Sequence, residues 1–254
     1  MLLGAVVALA ALATHPVAAQ SAADDPCVEP ALSEKQAAFA KEAGSPPSTP
    51  VSGTRTAALT SPLVQQLIVA RFPELTRKQI RVRTFNSDYD FFRTRFSYSR
   101  FFLFRRIRYF VEVNPRLLSL SPPPDGVCAI LGHELTHISS MSHGNRLRLF
   151  GLIRLASGKY TSAFERRADL EAIHRGFAPG LKDYRHWIYA NIPAEKVARK
   201  KRDYFTPEEI DALLSRLKQD PSLMDYWMHH VPLNAQQIVA VPGSGNFGKC
   251  RSSE

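Results

Sequence analysis

The chain has 254 residues, 44% of them hydrophobic and 22% charged, which is enough apolar material for a sizeable core and too much for a disordered chain. Lys+Arg 33 against Asp+Glu 23 gives a net charge of +10, a basic balance that attracts polyanions without specifying one. No uncharged apolar run of about 20 residues follows the N-terminus, which excludes a polytopic membrane protein.

Residues 1–20 read MLLGAVVALAALATHPVAAQ. An apolar run from Leu2 to Ala13, then Val17-Ala18-Ala19, predicts a signal peptide over residues 1–19 cleaved after Ala19, or else an uncleaved N-terminal anchor. The mature chain is then exported, periplasmic or secreted, with no transmembrane segment. Residues 20–60 read as an N-terminal extension. Within it, Ser33 and Gln36 have capping-box spacing and open a short helix toward Ala43, and residues 44–54, GSPPSTPVSGT, read as a Pro/Ser-rich linker. Ser61-Pro62 opens a second helix, with Ser as cap and Pro in the first turn. A folded domain is expected over residues 61–240 and a loose tail over 241–254. In an oxidising compartment Cys27 and Cys250, near the two ends of the mature chain, are candidates for a bond, and Cys128 in an apolar helical stretch reads as a buried free thiol.

Residues 80–85 alternate as a strand, with Ile80, Val82 and Thr84 on one side. Residues 91–113, FFRTRFSYSRFFLFRRIRYFVEV, interleave aromatic and β-branched residues with six arginines at strand period, the chemistry of a β-hairpin. Two readings stay open. The segment is an aromatic and basic surface for an anionic envelope surface, lipid or polymer, or a half-buried hairpin with a solvated arginine face. For an exported chain the basic excess does not point to nucleic acid.

Residues 126–140, GVCAILGHELTHISS, contain His133-Glu134-Leu135-Thr136-His137, the pattern H-E-x-x-H. On a helix, positions i and i+4 share a face, so both imidazoles can aim at one ion, and Glu134 beside the first ligand can hold a water without ligating. Zinc in a hydrolytic site takes three protein ligands and leaves one position open. In AFERRADLEA, Glu165 can supply the third ligand, and Asp169, one turn on, can accept the ring N–H of a ligand histidine and fix its tautomer. His143 stands six residues after His137, where the metzincin pattern has its third histidine, but Ser140 stands where that pattern needs glycine, so the match is superficial. Thr206-Pro207-Glu208-Glu209 is a helix start with Thr as cap.

At GHELTH followed by FERRADLEA the chain resembles the gluzincin metallopeptidases, most closely the M48 (Ste24/HtpX-like) family, over roughly residues 61–238. The resemblance implies an α+β, zincin-like domain, mostly helical with a small antiparallel or mixed sheet, and one zinc per chain. His133, His137 and Glu165 would be its ligands, Glu134 the general base and Asp169 the partner of His133. Residues 111–120 correspond to the edge strand of the family's substrate groove and the approach to the active-site helix. HVPLNAQQI, from His230, is similar to the family's late His-Pro segment, with Val231 inserted and Gln237 where an arginine usually stands. The family's membrane helices are absent.

The expected activity is zinc-dependent hydrolysis of peptide bonds in a protein or peptide substrate, Glu134 taking a proton from the attacking water. His230 or His229 is the candidate donor to the oxyanion, or else the pair is a solvated helix end. The alternatives are a zinc-containing chaperone-like protein and an envelope-binding protein with little turnover.

Overall fold

The computed structural model describes residues 26–27, 30–43, 53–143 and 158–241. The expected signal peptide, residues 44–52 of the expected linker, Cys250 and the tail beyond 241 lie outside the described residues, while the last two linker residues, Gly53 and Thr54, belong to a helix. The fold is α+β and mostly helical, with a three-stranded mixed sheet.

Helices α1 (Pro30–Ala43) and α2 (Gly53–Arg71) lead into strand β1 (Gln79–Thr84). Strands β2 (Phe92–Phe96) and β3 (Arg108–Val113) follow, separated by the short helix α3 (Tyr98–Phe102). The chain then runs through α4 (Pro124–His143), α5 (Gly158–His174), α6 (Ala178–Asn191), α7 (Ala194–Asp203), α8 (Pro207–Gln219), α9 (Leu223–His229) and α10 (Ala235–Val239). No described helix is long and apolar enough to cross a membrane.

The sheet order is β1-β3-β2, with β1 parallel and β2 antiparallel to β3. Residues 111–113 therefore lie in the central strand, and β2 is the edge strand facing α4. This corrects the expected position of the groove edge, because alternation reports which face a residue occupies but not which strand will be its neighbour. Tyr109, Val111 and Val113 are buried, whereas the opposite face carries Arg81, Arg83, Arg93 and Arg95. Glu112 lies on that face opposite both Arg83 and Arg93, and its carboxylate accepts from their Nε atoms at 2.6 and 2.5 Å. The strands thus match the half-buried hairpin with an arginine face, while the connection between them holds a helical turn.

Helix α4 is buried without interruption from Gly126 to Ser139, as befits a helix that is apolar nearly all round. It packs against α1, α2, α5, α6 and the sheet. Its closest neighbour is α6, where Gly126 and Gly180 let the backbones meet. A methyl group on Gly180 would run into the Asp125 carbonyl and Ala129, and one on Gly126 would lie 3.1 Å from the Tyr184 backbone nitrogen.

Helix α2 begins at Gly53 and carries Pro62 inside it, so Ser61-Pro62 does not start a helix. The hydroxyls of Thr60 and Ser61 donate back to the carbonyls of Thr56 and Ala57, and burial of Leu63, Val64, Leu67 and Ile68 outweighs the lost proline N–H. Helix α1 begins at Pro30, ahead of the expected Ser33 cap. Cys27, Phe39 and Ala43 belong to the same core as α4.

The cysteine expectation is overturned. Cys27 is bonded to Cys128, with Cα atoms 5.9 Å apart, so Cys128 is not a free thiol and Cys27 does not pair with Cys250. Deep burial suits a half-cystine as well as a thiol, so the apolar setting of Cys128 did not separate the two. Thr206 does cap α8, in a reciprocated capping box with Glu209.

Candidate metal centre

Consecutive turns of α4 carry His133 and His137, and α5, packed alongside, carries Glu165. His133 Nε2 and His137 Nε2 are 3.1 Å apart, and Glu165 Oε2 lies 3.3 Å from the first and 3.1 Å from the second. Ligands about 2.0–2.1 Å from a tetrahedral zinc stand about 3.3–3.4 Å apart, so two imidazole nitrogens and a carboxylate oxygen at these separations fit zinc. Among the described residues no other group of three or more His, Cys, Asp or Glu converges in this way.

The surroundings fix these three side chains. His133 Nδ1 lies 2.8 Å from Asp169 Oδ1, which leaves its Nε2 lone pair toward the cluster. Asp169 is fully buried. Arg185 Nη2 reaches both of its oxygens, at 2.9 and 3.2 Å, and the Phe205 backbone N–H donates at 3.0 Å. Burial pushes the Asp169 carboxyl up, and Arg185, His133 and Phe205 outweigh it and hold the group below its ordinary value. Burial likewise disfavours a charged His133, but Asp169 and Glu165 raise its pKa to about 9. Glu165 is held low, its burial outweighed by the two histidines. The ring of His137 stacks on Phe164, with centroids 4.6 Å apart.

Glu134 is 6% exposed, and Thr94 Oγ1 donates to its Oε2 at 2.8 Å. That contact ties edge strand β2 to the candidate base. Burial raises the Glu134 carboxyl above its ordinary value, against the pull of His137 and His133, the direction that makes a carboxylate a better base.

His230 is not drawn into this group by any hydrogen bond or ion pair among the described residues. It is exposed, its Nδ1 lies 3.2 Å from the Tyr226 carbonyl oxygen, and its ring stacks on Tyr226 at 4.5 Å. His229 sits similarly against the Asp225 carbonyl, so the pair occupies a helix end. His143 closes α4, with its Nδ1 2.8 Å from the Ser139 carbonyl.

The structure adds residues that the motif did not name. Tyr204 lies with its ring 5.8 Å from that of His133 and 4.6 Å beneath the Arg185 guanidinium. Burial, then the charges of Glu165 and Glu134, hold its hydroxyl protonated well above the ordinary tyrosine range. Arg185 itself was detectable in principle, because it shares the inward stripe of α6 with Leu181, Tyr184 and Ile188, and an arginine there requires a buried partner. Nothing local in the sequence marks Thr94.

Compared with family models, curated proteins and solved structures, the chain matches none.

Proposed function

We propose that the protein is a zincin-like, zinc-dependent endopeptidase acting outside the cytoplasm. The observation that carries this reading is the convergence of His133 Nε2, His137 Nε2 and Glu165 Oε2, with Glu134 next in the chain and Asp169–Arg185 behind His133. The resemblance to the gluzincins supports the same roles. Bound zinc would lower the pKa of a water toward about 7 and polarise a peptide carbonyl.

The chain's own residues do the remainder. Asp169 and Arg185 keep His133 in one tautomer and one orientation. Glu134 takes a proton from the attacking water at its carboxylate and passes it to the leaving amine. Thr94 holds that carboxylate in place. For donation to the developing oxyanion we assign the Tyr204 hydroxyl rather than His230, since Tyr204 stays protonated and lies beside His133. A substrate peptide adds to the free edge of β2, whose only strand partner among the described residues is β3. The buried Cys27–Cys128 bond supports an oxidising compartment.

The test is cleavage of an unfolded protein substrate by the purified chain, with metal content measured alongside. Loss with a chelator and recovery with about one equivalent of zinc supports the reading. Bound zinc without cleavage favours the chaperone-like alternative, and absence of tight zinc refutes both.

A further inference from the structure

The knuckle joining β2 to β3 exposes what a folded chain normally hides. Phe102, Leu103 and Phe104 are consecutive and 62%, 64% and 84% exposed, with Tyr98 beside them at 56%. Isolated exposed apolar residues are ordinary, but a contiguous group rimmed by charge marks a contact surface.

The backbone presents this group as a built feature. Phe101 turns inward and is buried, edge-on to Phe96 at 5.7 Å, so it anchors the base of the knuckle. Leu103 N–H donates to the Ser99 carbonyl and Arg105 N–H to the Arg100 carbonyl, both at 3.0 Å, while Ser97 N–H closes onto the Arg108 carbonyl at 2.8 Å. Phe104 adopts φ 53°, a left-handed conformation that is costly for a bulky side chain. Phe104 is also the most exposed of the large apolar residues described.

The rim is of one sign. No acidic residue occurs between Asp90 and Glu112, whereas arginines stand at 93, 95, 100, 105, 106 and 108. Arg93 and Arg95 share Glu112 with Arg83. Among the described residues no carboxylate pairs with Arg100, Arg106 or Arg108. Arg108 is held below its ordinary pKa by burial and then by the charges of Arg100 and Arg81, so the cations crowd one another.

We propose that this knuckle docks the protein on an anionic lipid bilayer, with Phe102, Leu103 and Phe104 entering the interfacial zone and the surrounding arginines engaging lipid phosphates. Charge complementarity selects an anionic surface, and the apolar tip selects lipid over a soluble polyanion, which has no hydrocarbon to receive a leucine. Phe96 and Thr94 lie on the core-facing side of β2, so that strand links the base of the knuckle to Glu134. The docking does not depend on the chain being a peptidase.

The test uses the full chain with vesicles of phosphatidylcholine containing about one third phosphatidylglycerol, and with pure phosphatidylcholine vesicles. The chain should sediment with the anionic vesicles and not with the neutral ones, and binding should weaken as salt rises from about 0.1 to about 1 M. A Phe102→Ser, Leu103→Ser, Phe104→Ser variant, unchanged in melting temperature, should lose about tenfold or more of its binding. Independently, a Phe104→Trp variant should gain indole fluorescence that brominated lipid quenches. Failure of the wild-type chain to bind overturns the proposal. So does full binding by the triple variant, which would make the arginines a general polyanion surface, or added fluorescence in the Phe104→Trp variant that brominated lipid leaves untouched. Heparin binding with the same sensitivity to the triple variant would also overturn the choice of lipid.

Discussion

Arg185 grips both oxygens of Asp169 in a pocket where the two residues are 2% and 0% exposed. Asp169 in turn stands 2.8 Å from His133 Nδ1, so α6 reaches the candidate metal ligand through one carboxylate. Removing Arg185 leaves a buried charge with fewer donors, which typically costs about 3–5 kcal/mol. Arg185→Leu should therefore unfold at markedly lower denaturant and lower zinc affinity about 10–100-fold, through the orientation of His133. Arg185→Leu combined with Asp169→Asn should cost less than the sum of the two. Urea titration and chelator competition on the three variants check this, and additive costs would show that the pair does not act as a unit.

Glu134 separates holding zinc from using it. It follows the candidate ligand His133 but is turned about 100° around the helix from it, and Thr94 Oγ1 engages its carboxylate. Glu134→Gln keeps the shape and removes the base. Zinc content and melting temperature should survive, while turnover falls by about 10²–10⁴. Near-wild-type activity with zinc bound would remove Glu134 from the chemistry.

Tyr204 should behave as a donor that matters only during reaction. Tyr204→Phe keeps the ring beneath Arg185 and removes the hydroxyl. Turnover should drop by about 10²–10³ with zinc affinity nearly unchanged, as for loss of one oxyanion donor, while His230→Ala should leave turnover close to wild type. The opposite ranking of these two variants would return the role to His230.

The candidate metal site was the most legible part of the chain, because the arrangement of its residues is local. His133 and His137 are one helical turn apart, as are Glu165 and Asp169, so a 3.6-residue period suffices to bring each pair onto one face. What crosses between elements was not legible. Arg185 meets Asp169 from another helix, and Thr94 meets Glu134 from a strand 40 residues earlier. Period-2 alternation gave β1 and β3 their faces but could not say that β3 lies between β1 and β2. Pro62 read as a helix start because local rules count the missing N–H and not the four buried residues after it.

Zinc should reverse the pH trend of stability. In protein stripped by a chelator, burial disfavours a charged His133, but Asp169 and Glu165 raise its pKa from 6.5 to about 9. A raised folded-state pKa gives stability that is complete below the unfolded value and is lost as pH climbs through the folded one. Stripped protein should therefore lose up to on the order of 3 kcal/mol across about pH 6.5–9. Zinc-loaded protein has the ion in place of that proton, and zinc affinity rises as ligands deprotonate, so its melting temperature should hold or rise over the same window. Parallel melting curves for the two forms would show that His133 does not exchange a proton for the metal.

The Cys27–Cys128 bond closes a loop of sequence separation 101, and it enters α4 five residues before His133. In the chain-entropy model, closing a loop of that length stabilises by about 4–5 kcal/mol. The bond also pins the turn ahead of α1 to the helix that carries His133 and His137. Cys27→Ala should therefore lower stability by several kcal/mol, to roughly the level that reductant produces in the wild-type chain. Cys128→Ala should cost about the same, because both sulfurs are buried in the core and either loss also opens a small cavity. The two single variants should be nearly insensitive to reductant. Zinc stoichiometry should stay at about one per folded chain in every case, since neither sulfur belongs to the ligand set. Urea titrations with and without reductant, together with non-reducing peptide mapping, decide the matter. A map joining Cys27 to Cys250, or a wild-type stability indifferent to reductant, would remove the clamp from this fold.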